Sequence, residues 1–242
     1  MKKISIVFPL YNEENRLNKL FYSLINFEKL KTTKFFEFIF VDDGSRDKTK
    51  KKILQFLNKI KRGKKRYKFI QSKKNFGKGH ALKLGVKYAK HNWILTMDAD
   101  LSVDLFQIIK WFKNYRFKNN HAYFGSRNHP QSTIKYKYYR KLIGNILQIL
   151  IFLFIDTKIK DTQCGFKFYN KKYIKKIFRS LKENRFAHDI ELVLLLKKQG
   201  IKITELPIKW KHVDGSKLNP FSVTISFFLK FFIILTRYKF IL

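Results

Sequence analysis

The sequence has few of the residues that cross-link a chain or mark linkers between domains. Its 242 residues include one cysteine, four prolines and ten glycines. A single cysteine, Cys164, excludes an internal disulfide framework and is typical of a reducing compartment. A chain of this length without a long linker rich in Pro, Gly or Ser is expected to form one sizeable core.

Acidic residues are also scarce. The 17 Asp and Glu residues face 53 Lys and Arg residues, which gives a formal net charge of +36. Such an excess indicates an anionic partner, which could be a phosphate-rich ligand, a nucleic acid or an acidic lipid surface. Lys, Asn, Ile and Phe are abundant together, so a general compositional bias explains part of the charge equally well. The charge alone leaves these partners open.

Long hydrophobic runs are missing as well. A membrane-spanning helix needs ~20 consecutive, mainly apolar residues, and no segment of the sequence clearly meets this requirement. Residues 142–155 and 221–235 come nearest, and basic residues border both segments. Both suit helices in the lipid headgroup region, although a buried core helix explains residues 142–155 nearly as well. We predict a main domain over residues 1–220 and a membrane-associating segment over residues 221–242. No stretch of signal-peptide length precedes the first apolar run, so the mature chain is expected to begin at Met1.

Short apolar runs alternate with helix-like stretches through the first half of the chain. This alternation predicts an α/β fold with a Rossmann-like, mainly parallel central sheet flanked by helices. The predicted strands span residues 4–9, 36–41, 67–71, 93–97, 122–125 and 203–206. The predicted helices span residues 14–27, 48–60, 79–89, 104–115, 138–154, 170–180 and 189–199. Asn12 and Asp47 are predicted helix starts.

Polar residues follow the first four predicted strands, where ligands bind in an open α/β sheet. Asp98 and Asp100 come directly after the fourth strand, and such oxygen ligands suit Mg²⁺ or Mn²⁺. A nucleotide diphosphate would complete the metal's ligand shell. Acidic turns more often only cap helices, so the position of the pair after a strand carries this prediction.

The turns after the second and third strands supply further polar groups. Asp42 and Asp43 can bond a nucleobase and ribose hydroxyls, and Gly44 permits a tight turn, although a capping turn for the next helix is the simpler explanation. The loop from Asn75 to Gly79 lacks the spacing of the Walker and Rossmann motifs. It is expected to lie near the ligand, with Lys78 available to a phosphate.

Six segments occur in a characteristic order: FPLYNEENRL, VDDGSRDKT, NFGKGHALKLG, MDADLSVD, GSR and DTQCGF. Together they resemble the family 2 glycosyltransferases with a GT-A fold, especially the dolichyl- and polyprenyl-phosphate glucosyl- and mannosyltransferases. The match runs from about Ile4 to Leu218. It implies a metal-dependent, inverting enzyme that moves glucose from UDP-glucose to dolichyl or polyprenyl phosphate. The segments DTQCGFK and HVDGSKL favour the glucosyltransferase branch over a GDP-mannose enzyme.

The resemblance also implies roles for individual residues. Asp98 and Asp100 would hold Mg²⁺ or Mn²⁺, and Arg127 with Arg140 would bind the acceptor phosphate. The catalytic residues would be Asp100, Arg127 and Asp189. The residues expected to bind the nucleotide sugar are Pro9, Tyr11, Glu13, Asp42, Lys78, Asp98 and Gln163.

The nature of the acceptor decides what the chemistry needs. A lipid phosphate is already anionic and needs placement rather than a base, whereas a sugar hydroxyl would need a carboxylate such as Asp189 as general base. Relatives often carry a membrane-spanning segment at one end, and neither end here supplies a clear one. We therefore expect peripheral or monotopic association with an acidic membrane surface, on the cytoplasmic face. A basic nucleic-acid-binding protein remains the alternative from another class, although no nucleic acid is expected as partner.

Overall fold

The computed structural model of the chain describes residues 2–60, 64–135, 159–213 and 220–238. Its helices are α1 (Leu17–Glu28), α2 (Thr49–Lys59), α3 (Lys78–Tyr88), α4 (Gln107–Asn114), α5 (Lys171–Ser180), α6 (His188–Lys198) and α7 (Pro220–Arg237). Its strands are β1 (Ile4–Leu10), β2 (Phe36–Asp42), β3 (Tyr67–Gln71), β4 (Trp93–Thr96), β5 (His121–Ser126), β6 (Thr133–Lys135), β7 (Lys167–Asn170), β8 (Lys202–Pro207) and β9 (Lys209–Lys211). Arg140 and the predicted helix over residues 138–154 lie outside the described residues.

The central sheet has seven strands in the order β3-β2-β1-β4-β7-β5-β8. Strands β1 to β4 pair in parallel, β5 pairs in parallel with β8, and β7 runs antiparallel to both of its neighbours. Every residue of β2 is buried, as expected for a parallel strand that is covered on both faces. The predicted mainly parallel sheet flanked by helices is therefore confirmed.

Helices cover both faces of this sheet because adjacent strand residues point to opposite sides. Phe8 of β1 and Phe40 of β2 face a core formed with α1, α2 and α4. Val7 and Val41, their chain neighbours, face a second core formed with α3, α5 and α6. Short strands β6 and β9 pair in parallel as a separate small sheet. The carboxyl ends of β1, β2 and β4 are thus held rigidly at one edge of the molecule.

Helix α7 packs against α6. Phe231 and Ile234 of α7 are buried in a small cluster with Ala187, Ile190 and Leu194. In the parts of the chain that the structure describes, no helix combines the length and apolar character needed to cross a bilayer.

The structure differs from the sequence prediction in several places. Strands β6, β7 and β9 were not predicted, because runs of three or four residues with lysine at one or both ends give no clear periodic signal. The predicted helix start at Asn12 is wrong. Asn12 adopts a left-handed backbone (φ 54) and its side-chain oxygen accepts from the Arg46 backbone N–H at 2.8 Å, so it joins two loops instead.

Candidate active site

A cavity of about 420 Å³ lies at the carboxyl ends of β1 and β4. Its walls include eight of the residues predicted for the site: Pro9, Tyr11, Glu13, Lys78, Asp98, Asp100, Arg127 and Gln163. Asp42 and Asp189 are buried and are not among the lining residues. The structure therefore brings together predicted residues from both halves of the chain.

Asp98 and Asp100 lie in the turn that follows β4. The Ser102 backbone N–H donates to Asp100 Oδ1 at 2.8 Å. Leu101, which lies between Asp100 and Ser102, has a left-handed backbone (φ 56). The Asp98 carboxylate rests on Gly165, where a Cβ would lie 2.3 Å from Asp98 Oδ2. Only glycine at position 165 leaves room for this carboxylate.

Two protein cations approach the carboxylate pair unequally. Lys78 Nζ lies 2.6 Å from Asp98 Oδ1, whereas Arg16 Nη1 lies 3.8 Å from Asp100 Oδ2. Arg16 is committed to Glu13, whose Oε2 lies 2.6 Å from Arg16 Nε. Burial and the neighbouring Asp98 raise the pKa of Asp100. Burial opposes the charge of Lys78, but the carboxylates around it, Asp98 foremost, outweigh burial and raise its pKa.

Oxygen ligands on this turn fit a divalent cation in type and in position. Both carboxylates are partly exposed to the cavity, at 31% for Asp98 and 24% for Asp100. Among the described residues, no group of three or more His, Cys, Asp and Glu side chains is arranged to hold a metal. A metal bound by Asp98 and Asp100 would therefore take its remaining ligands from substrate or water.

The turn after β2 places Asp43, rather than Asp42, in the cavity wall. Asp42 is buried below it and accepts from the Ser45 backbone N–H at 3.0 Å. Asp43 Oδ2 accepts backbone N–H bonds from Phe76 at 3.0 Å and Gly77 at 2.6 Å. Burial raises the pKa of Asp43, and these two bonds only partly offset the effect. Asp43 thus fixes the loop that carries Lys78.

Arg127 follows β5 and is clamped by Asp161. Arg127 Nε donates to Asp161 Oδ2 at 2.7 Å, Nη2 donates to Oδ1 at 2.8 Å, and the Arg127 backbone N–H also bonds Oδ2 at 2.8 Å. Burial of Asp161 would raise its pKa, but Arg127 overrides burial and lowers it. The guanidinium also lies over the Trp210 ring, 5.9 Å from the ring centroid. These contacts hold the guanidinium in one orientation at the cavity wall.

The same carboxylate shapes the loop over residues 161–166. Asp161 Oδ1 accepts from the backbone N–H groups of Gln163 at 3.2 Å and Cys164 at 3.1 Å. Burial and then Asp161 raise the pKa of the Cys164 thiol to about 12. Cys164 is therefore a protonated wall residue rather than a nucleophile.

Asp189 at the start of α6 is engaged in a buried ion pair with Lys167 of β7. Its Oδ1 also lies 3.4 Å from His188 Nε2. Burial would raise the pKa of Asp189, but His188, Lys167 and Lys78 outweigh it and lower the pKa. A carboxylate stabilised in this way is a weak base, and it faces protein rather than cavity.

Several lining residues carried no predicted role: Arg16, Arg185, Trp210 and His212. Arg16 belongs to the FPLYNEENRL segment and lies three positions after Glu13. This spacing was the signal from which an ion pair with Glu13 could have been predicted. Trp210 lies on the short strand β9, which gave no sequence signal. His212 begins the HVDGSKL segment, which served only to favour the glucosyltransferase branch and gave His212 no role in the site. Arg140, predicted to bind phosphate, lies outside the described residues.

A doubly wound α/β sheet binds its ligands at the carboxyl edge of its strands, and the acidic turns of this chain lie at that edge. The family model described as glycosyl transferase family 2 matches residues 5–178. The chain belongs to this family, and the prediction that it is a glycosyltransferase is confirmed.

Three curated relatives carry one name, dolichyl-phosphate beta-glucosyltransferase. The relative from Dictyostelium discoideum is 34% identical over 234 residues, which cover 92% of this chain and 70% of the relative. The human relative is 32% identical, with 91% of this chain and 71% of the relative covered. The relative from Saccharomyces cerevisiae is 32% identical, with 89% and 69% covered.

Solved structures with low sequence identity share the fold. Glucosyl-3-phosphoglycerate synthase from Mycobacterium tuberculosis, solved with Mn²⁺, UDP and glucosyl-3-phosphoglycerate, has a TM-score of 0.66 at 15% identity and covers 98% of this chain and 80% of its own. A mannosyltransferase from Pyrobaculum calidifontis, solved with GDP-mannose and Mn²⁺, has a TM-score of 0.61 at 13% identity. That match covers 89% of this chain but 58% of the mannosyltransferase chain. The predicted GT-A fold is confirmed.

Proposed function

We propose that the chain transfers glucose from UDP-glucose to dolichyl phosphate or a related polyprenyl phosphate, with inversion at the anomeric carbon. The observation that carries the proposal is the similarity to dolichyl-phosphate beta-glucosyltransferases over about nine tenths of the chain, at 34% identity for one of them. The site has the parts that this reaction needs: a carboxylate turn, a cation next to it, and an oriented arginine across the cavity.

Cavity-lining residues from the N-terminal part of the chain bind the nucleotide-sugar donor. Pro9, Tyr11 and Asp43 form the wall on which the nucleoside lies, and Lys78 presents an ammonium group to the diphosphate. Asp98 and Asp100 would hold Mg²⁺ or Mn²⁺, and the metal would supply Lewis-acid neutralisation of the charge on the leaving diphosphate. Gln163 also lines the cavity, and we assign it to the sugar.

Arg127 places the acceptor. Asp161 and the Trp210 ring hold the guanidinium of Arg127 at the cavity wall, and its planar fork has the geometry that suits a phosphate. The phosphate oxygen is already anionic and attacks the anomeric carbon from the side opposite the diphosphate. Placement and electrostatics therefore provide most of the rate enhancement.

The state of Asp189 supports a phosphate acceptor over a sugar hydroxyl. A hydroxyl acceptor needs a general base within hydrogen-bond reach. Asp189 is only 5% exposed, pairs with Lys167 and has a lowered pKa. We assign Asp189 to positioning Lys167 and α6. We also propose Arg140, which lies outside the described residues, as a second contact for the acceptor phosphate.

Helix α7 supports peripheral association with a membrane, and the cytoplasmic face is our proposal for its side. Leu229 and Ile233 are 64% and 45% exposed, while Phe231 and Ile234 pack against α6. Lys230 of the same helix is 46% exposed and suits anionic headgroups, whereas Arg237 is paired with Glu191 at 3.3 Å. Residues 221–242 then form the membrane-associating segment, and residues 1–220 the catalytic domain.

A donor panel tests the proposed function. Purified chain is incubated with UDP-glucose, GDP-mannose or UDP-N-acetylglucosamine and a short polyprenyl phosphate, with Mg²⁺, Mn²⁺ or EDTA. We expect product from UDP-glucose with metal, and none from the matched polyprenol that lacks the phosphate. Transfer from GDP-mannose alone would establish the mannosyltransferase alternative, and full activity in EDTA would remove the metal.

A further inference from the structure

Lys78 occupies a position that does not favour its own helix. It is the first residue of α3, and the first turn of that helix contains no acidic residue. A cation at a helix N-terminus is opposed by the helix dipole, which favours negative charge there. The compensation comes from outside the helix, since Lys78 Nζ lies 2.6 Å from Asp98 Oδ1. The placement of Lys78 is therefore explained by Asp98 and not by helix stability.

The two carboxylates of the turn differ in how close a cation lies to each. Asp98 has a close cation in Lys78, whereas Arg16 lies 3.8 Å from Asp100 and is held by Glu13. The loop before Lys78 is fixed because Asp43 accepts the backbone N–H bonds of Phe76 and Gly77. The long side chain of Lys78 is thus the adjustable part of an otherwise fixed arrangement.

We propose that Lys78 is a built-in counter-ion that competes with the divalent cation for Asp98 and is drawn away by the diphosphate of the donor. This inference rests on the proposed function, because it takes Asp98 and Asp100 as the metal ligands. Without a nucleotide, Lys78 neutralises Asp98 and keeps metal affinity low. The diphosphate offers Lys78 a second anionic partner next to the same turn, so metal and donor bind cooperatively.

Metal binding measures this competition directly. The free Mn²⁺ signal in electron paramagnetic resonance reports the affinity of the wild-type chain and of Lys78→Met, each with and without UDP. We expect Lys78→Met to bind Mn²⁺ about tenfold more tightly than wild type without UDP. We also expect the gain in Mn²⁺ affinity caused by UDP to shrink by a similar factor. Lys78→Arg, which keeps the charge, should bind Mn²⁺ as weakly as wild type.

A matched control separates competition from general electrostatics. Lys83 lies on the same helix and bonds Asn184 Oδ1 at 2.8 Å. Lys83→Met removes one charge from α3 and should leave Mn²⁺ affinity within about twofold of wild type. Lys78→Gln provides a second test of the same contact if Lys78→Met does not fold, as judged by circular dichroism.

Unchanged or weaker Mn²⁺ binding by folded Lys78→Met or Lys78→Gln without UDP would overturn the inference. An equal gain in Lys83→Met would overturn it too, because the effect would then be one of net charge. The result is distinct from the donor panel, since it is read without any sugar transfer. A chain that binds Mn²⁺ as expected but transfers no glucose would contradict the proposed function alone.

Discussion

The two walls of the cavity balance their charges in different ways. The N-terminal wall, formed by residues after β1, β2 and β4, carries Glu13, Asp43 and Asp100, and the pKa of each is raised, with burial as the largest cause. The C-terminal wall and the layer behind it carry Asp161 and Asp189, and their pKa values are lowered by Arg127 and by the cations around Asp189. On the N-terminal wall burial outweighs the neighbouring cations, whereas for Asp161 and Asp189 the neighbouring cations outweigh burial.

This difference indicates a division of labour. Carboxylates with raised pKa values gain from any added positive charge, as expected where a cation and a charged ligand arrive together. Carboxylates with lowered pKa values already have their cations and serve to orient them. The N-terminal wall is therefore suited to receive ligand charge, and the C-terminal wall to hold Arg127 and Lys167 in place.

The largest effect is expected from breaking the buried pair in the layer behind the C-terminal wall. Lys167→Met leaves Asp189 without its main partner in a site where both side chains are buried. The free energy of unfolding should fall by about 3–5 kcal/mol, measured by urea denaturation. The double variant Lys167→Met with Asp189→Asn should recover most of this loss. An equal loss in the double variant would mean that packing, not charge, dominates.

Asp161→Asn is expected to have the next largest effect. It keeps the shape of the side chain but removes the charge that clamps Arg127, at a cost of about 1.5–3 kcal/mol in stability. The KM for polyprenyl phosphate should rise about tenfold or more, because the guanidinium loses its fixed orientation. The KM for the nucleotide sugar serves as the internal control and should stay within about twofold. Equal changes in both values would contradict a separate acceptor wall.

Asp100→Asn should increase the stability of the protein, whereas the two preceding substitutions decrease it. The substitution removes repulsion from Asp98, and an asparagine oxygen can still accept the Ser102 backbone N–H. Thermal unfolding should show a gain of about 0.5–2 kcal/mol in stability, while turnover falls about a hundredfold or more. Loss of both stability and turnover would show that repulsion between Asp98 and Asp100 does not destabilise the protein.

The smallest effect is a contrast in pH dependence. Asp43 has a raised pKa, so its charge costs stability as pH rises from about 4 toward the folded-state pKa. The stability of Asp43→Asn relative to wild type should therefore improve as pH rises through that window. Asp161 has a lowered pKa, so its stabilising contribution is complete above about pH 4 and is lost only as pH falls below it. Asp161→Asn should show a constant deficit from pH 7 to about 4, and a smaller deficit below that.

The sequence predicted the N-terminal wall better than the rest of the site. Its strands are short but clear apolar runs, and Asp98, Asp100 and Lys78 follow strand ends or loops that can be located from the chain alone. The choice between Asp42 and Asp43 was not predictable in this way. Adjacent residues at a strand end point to opposite sides, and only the packed sheet decides which one meets the cavity.

The C-terminal wall depends on contacts between distant residues. Lys167 and Asp189 are 22 positions apart, and Arg127 and Asp161 are 34 apart. Neither pair has a local signal, because each partner alone is an ordinary charged residue. The resemblance placed Arg127 and Asp189 in the site, but only the structure shows that Asp189 is committed to Lys167.

The antiparallel strand β7 has a consequence for how the chain folds as it is synthesised. β7 lies between β4 and β5, and the other neighbour of β5 is β8. Both neighbours of β5 are therefore made after it, so β5 and one edge of β4 stay unpaired while the intervening residues emerge. At roughly 5–20 residues per second this interval lasts on the order of seconds. Exposed strand edges of this kind can pair with other chains, so the nascent chain is most open to aggregation before β7 closes the sheet.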